Sequence, residues 1–255
     1  MAPEQADTAA WQGWKPAPET PSLDGGEIQI WRVALERRAP EVTALEQCLA
    51  ADEQARADRF RFARDRRRYV VTRGVLRTLL GRILDIAPAE IRLQYGPEGK
   101  PSLSPAHGSV GEALQFNVAH SREVALLALA WETALGVDVE YRRELRDAEQ
   151  IARRFFSAQE VTSLLATPAE RRRTAFFRIW TRKEAFIKAT GKGLSQPLGA
   201  FNVMTREGHG LQYVELDGRQ TRWRLWDLPA GVEYSAALAV WTRGDSFRLN
   251  RYRYD

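Results

Sequence analysis

Strand-period and helix-period stretches follow one another along the chain, and each half carries both. Residues Glu27 to Leu35 alternate apolar and polar positions, the signature of a half-buried strand. Pro40 opens a predicted helix reaching to about Leu49, and Asp52 begins another. From Asp65 to Leu84 the apolar residues Val71, Val75, Leu79 and Ile83 recur every four positions, which predicts a long helix with one buried stripe. Strands are expected at Ile91–Tyr95, Leu114–Ala119 and Val124–Trp131, and the Pro/Gly-rich stretch Gly96–Gly111 reads mostly as loop. The second half opens with a strand at Leu135–Tyr141. Helices follow at Asp147–Phe155, Ser157–Leu165 and Pro168–Thr190, the last stopped by Gly191 and Gly193. Further strands fit Phe201–Met204, Leu211–Glu215, Arg222–Trp226, Tyr234–Trp241 and Phe247–Tyr252. Periodicity alone therefore gives an α+β chain.

Three segments are expected. Residues 1–24 are rich in Pro, Ala and Gln and read as a flexible arm that Trp11 and Trp14 could dock. Residues 25–131 and 132–255 form the two halves. No apolar run approaches the roughly 20 residues that span a bilayer, and the N-terminus lacks a signal pattern. The single Cys48 excludes an internal disulfide, and with three scattered histidines it makes no zinc site. A cytoplasmic protein is expected. The net charge is +5 and unevenly placed: nine arginines lie between Arg56 and Arg77 against Asp58 and Asp65. Such a run can be a solvated helix face, a nucleic-acid surface, or a site for a multiply phosphorylated small molecule, since guanidinium forks bind phosphate in a bidentate way.

Asp138 and Glu140 stand two apart in a strand-forming run, so both point one way while Val137 and Val139 point to a core. They are either exposed strand residues or, because like charges on one face repel, ligands around a cation. Glu184 and Lys188 share a helix face, either as a surface pair or as site groups. Three carboxylates and a lysine on two rigid elements suit a magnesium ion and a phosphate. Glu160 lies three residues after Ser157, where it fits a capping box as well as a chemical role. A strand–GxxxxGK[ST]–helix phosphate loop is absent, so ATP use is not expected.

Gly136-Val-Asp-Val-Glu140, Phe156-Ser-Ala-Gln-Glu160, Trp180 to Lys188 and Gly191-Lys-Gly-Leu194 occur in order, preceded by Gly99-Lys-Pro101 and Phe116-Asn-Val-Ala-His-Ser121. Together they resemble the surfactin-type 4'-phosphopantetheinyl transferases, over roughly Ile28 to Trp241. The resemblance implies a pseudo-dimer of two similar α/β halves, monomeric as a chain, with the cofactor site between them. It implies coenzyme A as co-substrate, Mg²⁺ (with Mn²⁺ as a substitute) on Asp138, Glu140 and Glu184, and Lys188 on the pyrophosphate. Lys100 and His120 match cofactor contacts, and Arg56 matches a basic position near the 3'-phosphate. A second basic position falls on Glu53, a departure for which Arg64 or Arg68 would substitute. Ala119 stands where a serine is common, which removes one hydroxyl contact.

The implied reaction moves 4'-phosphopantetheine from coenzyme A to a serine of an acidic apo carrier protein, leaving adenosine 3',5'-bisphosphate. The base is Glu184, directly or through metal-bound water, or else Glu160. Carriers of fatty acid, polyketide and nonribosomal peptide synthases all qualify as partners. Neither nucleic acid nor membrane is expected as a partner. The apolar carrier contact is expected around Phe155–Leu165, unless Phe155 and Phe156 are core. The rival reading, a basic non-enzymatic nucleic-acid-binding protein, explains the arginines but not the carboxylate spacing.

Overall fold

The computed structural model describes residues 13–204, 212–242 and 247–254. Residues 1–12 of the expected arm, Trp11 among them, and the expected strand start at Leu211 lie outside the described residues. In chain order the first half holds β1 (Lys15–Pro16), β2 (Glu27–Ala34), α1 (Ala39–Glu46), α2 (Ala51–Ala57) and α3 (Ala63–Leu84). It continues with β3 (Leu93–Tyr95), β4 (Pro101–Leu103), α4 (Gly108–Ala113), β5 (Leu114–Ser121) and β6 (Val124–Trp131). The second half holds β7 (Leu135–Tyr141), α5 (Ala148–Phe155), α6 (Ala158–Ala166) and α7 (Ala169–Thr190). Then come β8 (Phe201–Asn202), β9 (Gln212–Leu216), β10 (Arg219–Asp227), β11 (Tyr234–Trp241) and β12 (Arg248–Tyr254).

Two five-stranded sheets result, in the orders β1-β12-β2-β6-β5 and β7-β11-β10-β9-β8. The layers run helix, sheet, sheet, helix. One face of the first sheet packs on α3 through Trp31, Val33, Val75, Leu79 and Leu127. Its other face meets the second sheet through Ile30, Leu126, Val137, Val139 and Leu238. The far face of the second sheet packs on α7 through Phe177, Ala185, Phe186, Val214 and Leu225. Both sheets are thus buried on two sides where they matter, which is why β6 reads as the unbroken apolar run Val-Ala-Leu-Leu-Ala-Leu-Ala. The stripe Val71, Val75 and Leu79 on α3 is buried as its spacing requires. Each half has one long helix of 22 residues on one sheet, so the α+β pseudo-dimer is what the chain forms. Among the described residues no helix is long and apolar enough to cross a membrane.

Three expectations change. From residue 13 onward the expected flexible arm is docked: Trp14 is buried, its Nε1–H donates to the Pro229 carbonyl at 2.5 Å, and Lys15–Pro16 pair with Tyr252–Arg253. Residues 248–254 belong to the first half's sheet, where β12 runs parallel to β2 and packs the Tyr252 ring against Trp31, centroids 4.9 Å apart. The expected loop 96–111 contains β4 and the start of α4, anchored by the buried Leu103.

The halves join at β5 and β7 through side chains. Asn117 Oδ1 accepts from the Val137 N–H at 2.9 Å, and Ser121 Oγ accepts from the Tyr141 N–H at 3.0 Å. On the other side of β7, Gly136 touches the backbone of α7: a methyl there would run into the Ala185 carbonyl and the Ala189 amide. Gly136→Ala should therefore force strand and helix apart, with a loss of about 1–3 kcal/mol in urea unfolding, typical of overpacking. Wild-type stability in that variant would show that the helix can slide freely.

Candidate active site

Strand alternation puts Leu135, Val137 and Val139 in the core between the sheets and Asp138 and Glu140 on the α7 side. Glu184 and Lys188 come from the facing stretch of α7. The Lys188 ammonium donates to Asp138 Oδ1 at 2.6 Å. Asp138 Oδ2 is buried with no hydrogen-bond partner. Ser121 Oγ donates to Glu140 Oε2 at 2.9 Å and so fixes the second carboxylate from the other half. Ser121 was legible only as a neighbour of His120; its positioning role follows from the β5–β7 joint.

The electrostatics show a shortage of positive charge. Burial pushes the Asp138 carboxyl up to about 7 against the pull of Lys188, with Glu140 and Glu184 adding to the rise. Burial also raises Glu184, with Lys188 opposing and Glu140 assisting. Burial alone would lower Lys188, yet Asp138, Glu184 and Glu140 hold it above its ordinary value. Among the described residues no three carboxylate, imidazole or thiol groups close around a single point. The donor set nevertheless fits a divalent cation: all-oxygen, over-negative, with one carboxylate oxygen orphaned, on condition that the Lys188 ammonium gives way at Asp138.

A cleft of about 690 Å³ runs between the halves beside this cluster, lined by Lys100, Val118, Phe155, Trp180, Glu184 and Lys188, among others. Lys100 reaches across it. Its Nζ donates to the Lys188 carbonyl at 2.8 Å, and it lies 3.4 Å from the Leu135 carbonyl and 3.5 Å from that of Ala189. Burial lowers Lys100 to about 8. His120 sits on the adjoining end of β5, held below its usual range by desolvation, then by Lys188 and Arg68.

The arginines separate. Arg68 is held by Asp65 and Glu123, and Arg64 is exposed beside Asp65. Arg56 is exposed and lies 5.5 Å over the Tyr69 ring. Glu53, the departure from the basic pattern, is buried and accepts from Arg77.

Glu160 is not at the site. It is fully buried and forms the capping box with Ser157. Its Oε1 accepts from the Val203 N–H at 2.8 Å, and its Oε2 pairs with Lys183 at 2.7 Å. Lys183 also donates to the Leu198 and Phe201 carbonyls. Every lone pair that could take a substrate proton is committed to holding α6, α7 and the 198–203 segment together. Lys183 escaped sequence reasoning; its place three residues after Trp180, on the buried helix face, is the signal that would have found it. Phe156 and Phe176 are likewise core, and Phe176 stacks on Trp180.

Carboxylates opposed to a lysine, beside a cleft that a second lysine bridges, make a charge-rich site between the halves. The model of the 4'-phosphopantetheinyl transferase superfamily matches residues 134–239, and that of the 4'-phosphopantetheinyl transferase N-terminal region matches residues 36–132. The 4'-phosphopantetheinyl transferase HetI of Nostoc sp. is 39% identical over 183 residues, 72% of this chain and 76% of that protein. The Synechocystis sp. protein slr0495 is 36% identical over 215 residues, 84% of each. The 4'-phosphopantetheinyl transferase psf-1 of Bacillus pumilus is 33% identical over 180 residues, 71% and 74%. The chain belongs to the 4'-phosphopantetheinyl transferase family.

Removing the Glu160 charge separates its two roles. Glu160→Gln leaves the buried Lys183 ammonium without its counter-charge, which should cost about 3–5 kcal/mol of folding stability. The turnover of the remaining folded protein should stay near wild type. A variant that melts normally but has lost its chemical step would return Glu160 to the base position.

Proposed function

We propose that this transferase moves 4'-phosphopantetheine from coenzyme A to a carrier-protein serine, with Mg²⁺ held by Asp138, Glu140 and Glu184. The observation that carries this reading is the buried, partnerless Asp138 Oδ2 amid three carboxylates and one lysine. When bound, the magnesium ion would offset the negative charge of the pyrophosphate. Glu184, partly buried and raised above its ordinary value, takes the serine proton. The serine oxygen then bonds to the β-phosphorus while the bridging P–O bond breaks, and adenosine 3',5'-bisphosphate leaves. Lys188, freed from Asp138, follows the growing charge on the leaving group. Lys100 lies beside it in the same cleft.

The carrier reaches Glu140 from outside. Next to that residue an apolar groove formed by Leu145, Ile151, Phe176 and Phe177 carries Arg143 on its edge, and it continues past Arg146 and Arg173. The basic edge supports an acidic partner here; Phe156 and Leu164 of the 155–165 stretch are core, as are Phe176 and Phe177 behind the groove, so an apolar anchor would meet Leu145 and Ile151. Raising salt should raise KM for the carrier far more than KM for coenzyme A, because exposed charges are screened over roughly 10 Å at 0.1 M. Indifference of the carrier KM to salt would make docking purely apolar.

The decisive assay is mass spectrometry of apo carrier incubated with the protein, coenzyme A and Mg²⁺. Modification should appear with wild type, vanish with chelator, and be absent in Asp138→Ala, whose fold should survive. Full activity of that variant in chelator would end the metal reading.

Protons and cation compete for the same oxygens, and this sets the pH dependence. Asp138 and Glu184 must be ionised to act, and burial raises both. Activity should fall as pH drops, along a limb above the ordinary carboxylate range. More Mg²⁺ should shift that limb to lower pH. A limb that ignores Mg²⁺ would separate the titrating groups from the metal.

A further inference from the structure

Ser121 belongs to the first half, yet its hydroxyl ends on β7 of the second. It closes β5, paired with Val124, and the turn Arg122–Glu123 leads straight into β6. The turn is tied down. The Arg122 guanidinium lies 3.4 Å over the Tyr141 ring, and Glu123 is bound by Arg68 of α3. Tyr141 is fixed as well: its hydroxyl donates to Glu233 Oε1 at 3.0 Å, and its ring meets Tyr234 edge-on at 5.5 Å. Ser121 Oγ takes the Tyr141 N–H at 3.0 Å. A serine hydroxyl has a single hydrogen, and an ionised carboxylate can only accept. The Ser121 hydrogen is therefore committed to Glu140 Oε2, 2.9 Å away. Among the described residues no such bond holds Glu140 Oε1.

The two oxygens of Glu140 are thus unequal. A carboxylate chelates an ion only by turning its whole edge to it, and Ser121 holds one oxygen back. Ca²⁺ takes more oxygens than Mg²⁺, at longer distances, and often both from one carboxylate. Mg²⁺ is smaller and is served by single carboxylate oxygens with water and phosphate. We propose that Ser121 is a positioning residue that sets the choice of cation: it confines Glu140 to one-oxygen binding and so favours Mg²⁺ and Mn²⁺ over Ca²⁺. The inference rests on the reading that Asp138, Glu140 and Glu184 hold a divalent cation. Hydrogen-bonded partners of ligating groups tune a site in this way. Here the partner comes from the opposite half, so selectivity is complete only with β5 docked on β7. The tied turn supplies the rigidity that discrimination between two ions needs.

The test is metal competition on the full chain with coenzyme A present. Mn²⁺ binding is followed by the loss of the free-ion EPR signal, and Mg²⁺ and Ca²⁺ are added as competitors. Wild type is compared with Ser121→Ala, Ser121→Cys and Ser121→Thr, each also melted without metal. Ser121→Ala and Ser121→Cys should weaken Mg²⁺ by about tenfold and leave Ca²⁺ unchanged or tighter. Ser121→Thr, which keeps the hydroxyl, should keep the wild-type preference. In the transfer assay the kcat of Ser121→Ala should return at high Mg²⁺, with KM for coenzyme A near wild type. If Ser121→Ala fails to fold, Ser121→Cys carries the test, because its sulfur still accepts from the Tyr141 amide but donates only weakly. Equal losses for both ions, or unchanged constants in folded variants, overturn the inference. So does a kcat that stays low at every Mg²⁺ concentration alongside a lowered melting point, which would make Ser121 purely structural. If wild type binds no Mn²⁺, the metal reading itself fails and takes the inference with it.

Discussion

Everything at the site depends on the closeness of β7 to α7, and that closeness depends on the missing side chain of Gly136. Strand and helix meet backbone to backbone there, with the Ala185 carbonyl and the Ala189 amide where a methyl would stand. The strand then delivers Asp138 two residues later, and the helix delivers Glu184 and Lys188 one residue before each contact atom. The 2.6 Å Lys188–Asp138 pair is a consequence of this registry. A wider gap would leave the same residues in place in the sequence and out of reach in space.

The acidic face this registry builds would be unstable without compensation. Lys188 supplies one positive charge and is shared among three carboxylates, which is why burial can still carry Asp138 to about 7. Lys100 contributes in another way. It donates to the carbonyl of Lys188 at the C-terminal end of α7, where the helix leaves acceptors unsatisfied and the macrodipole is negative. A residue of the first half thereby ends a helix of the second. The two halves are held together by that lysine and by the Asn117 and Ser121 bonds between β5 and β7.

Much of this was legible in the chain. Period-two facing separated Asp138 and Glu140 from Val137 and Val139, and the four-residue spacing put Glu184 over Lys188. The α3 stripe was equally plain. These are local periodicities, and burial enforces them. What stayed hidden depends on neighbours distant in sequence. Glu160 satisfied both a capping pattern and a catalytic motif, and only the Lys183 ammonium and the Val203 amide decide between them. The return of β12 to the first sheet had no local signal, since a strand's partner is not written in its own alternation.

The two 22-residue helices carry different burdens, and this shows how a repeated unit acquires a single site. Each packs an apolar stripe on its own sheet. On α7 the residues beside that stripe are Glu184 and Lys188, facing a strand of carboxylates. On α3 they are Tyr69 and Arg73, which lie beside Glu53 and the Tyr95 ring. One helix therefore lines the cleft with ionisable groups, Glu184 and Lys188, whereas the lining of that cleft among the described residues takes none from the other. Two similar halves thereby share one fold, yet the titratable side chains that line the cleft from a long helix come from α7 alone among the described residues.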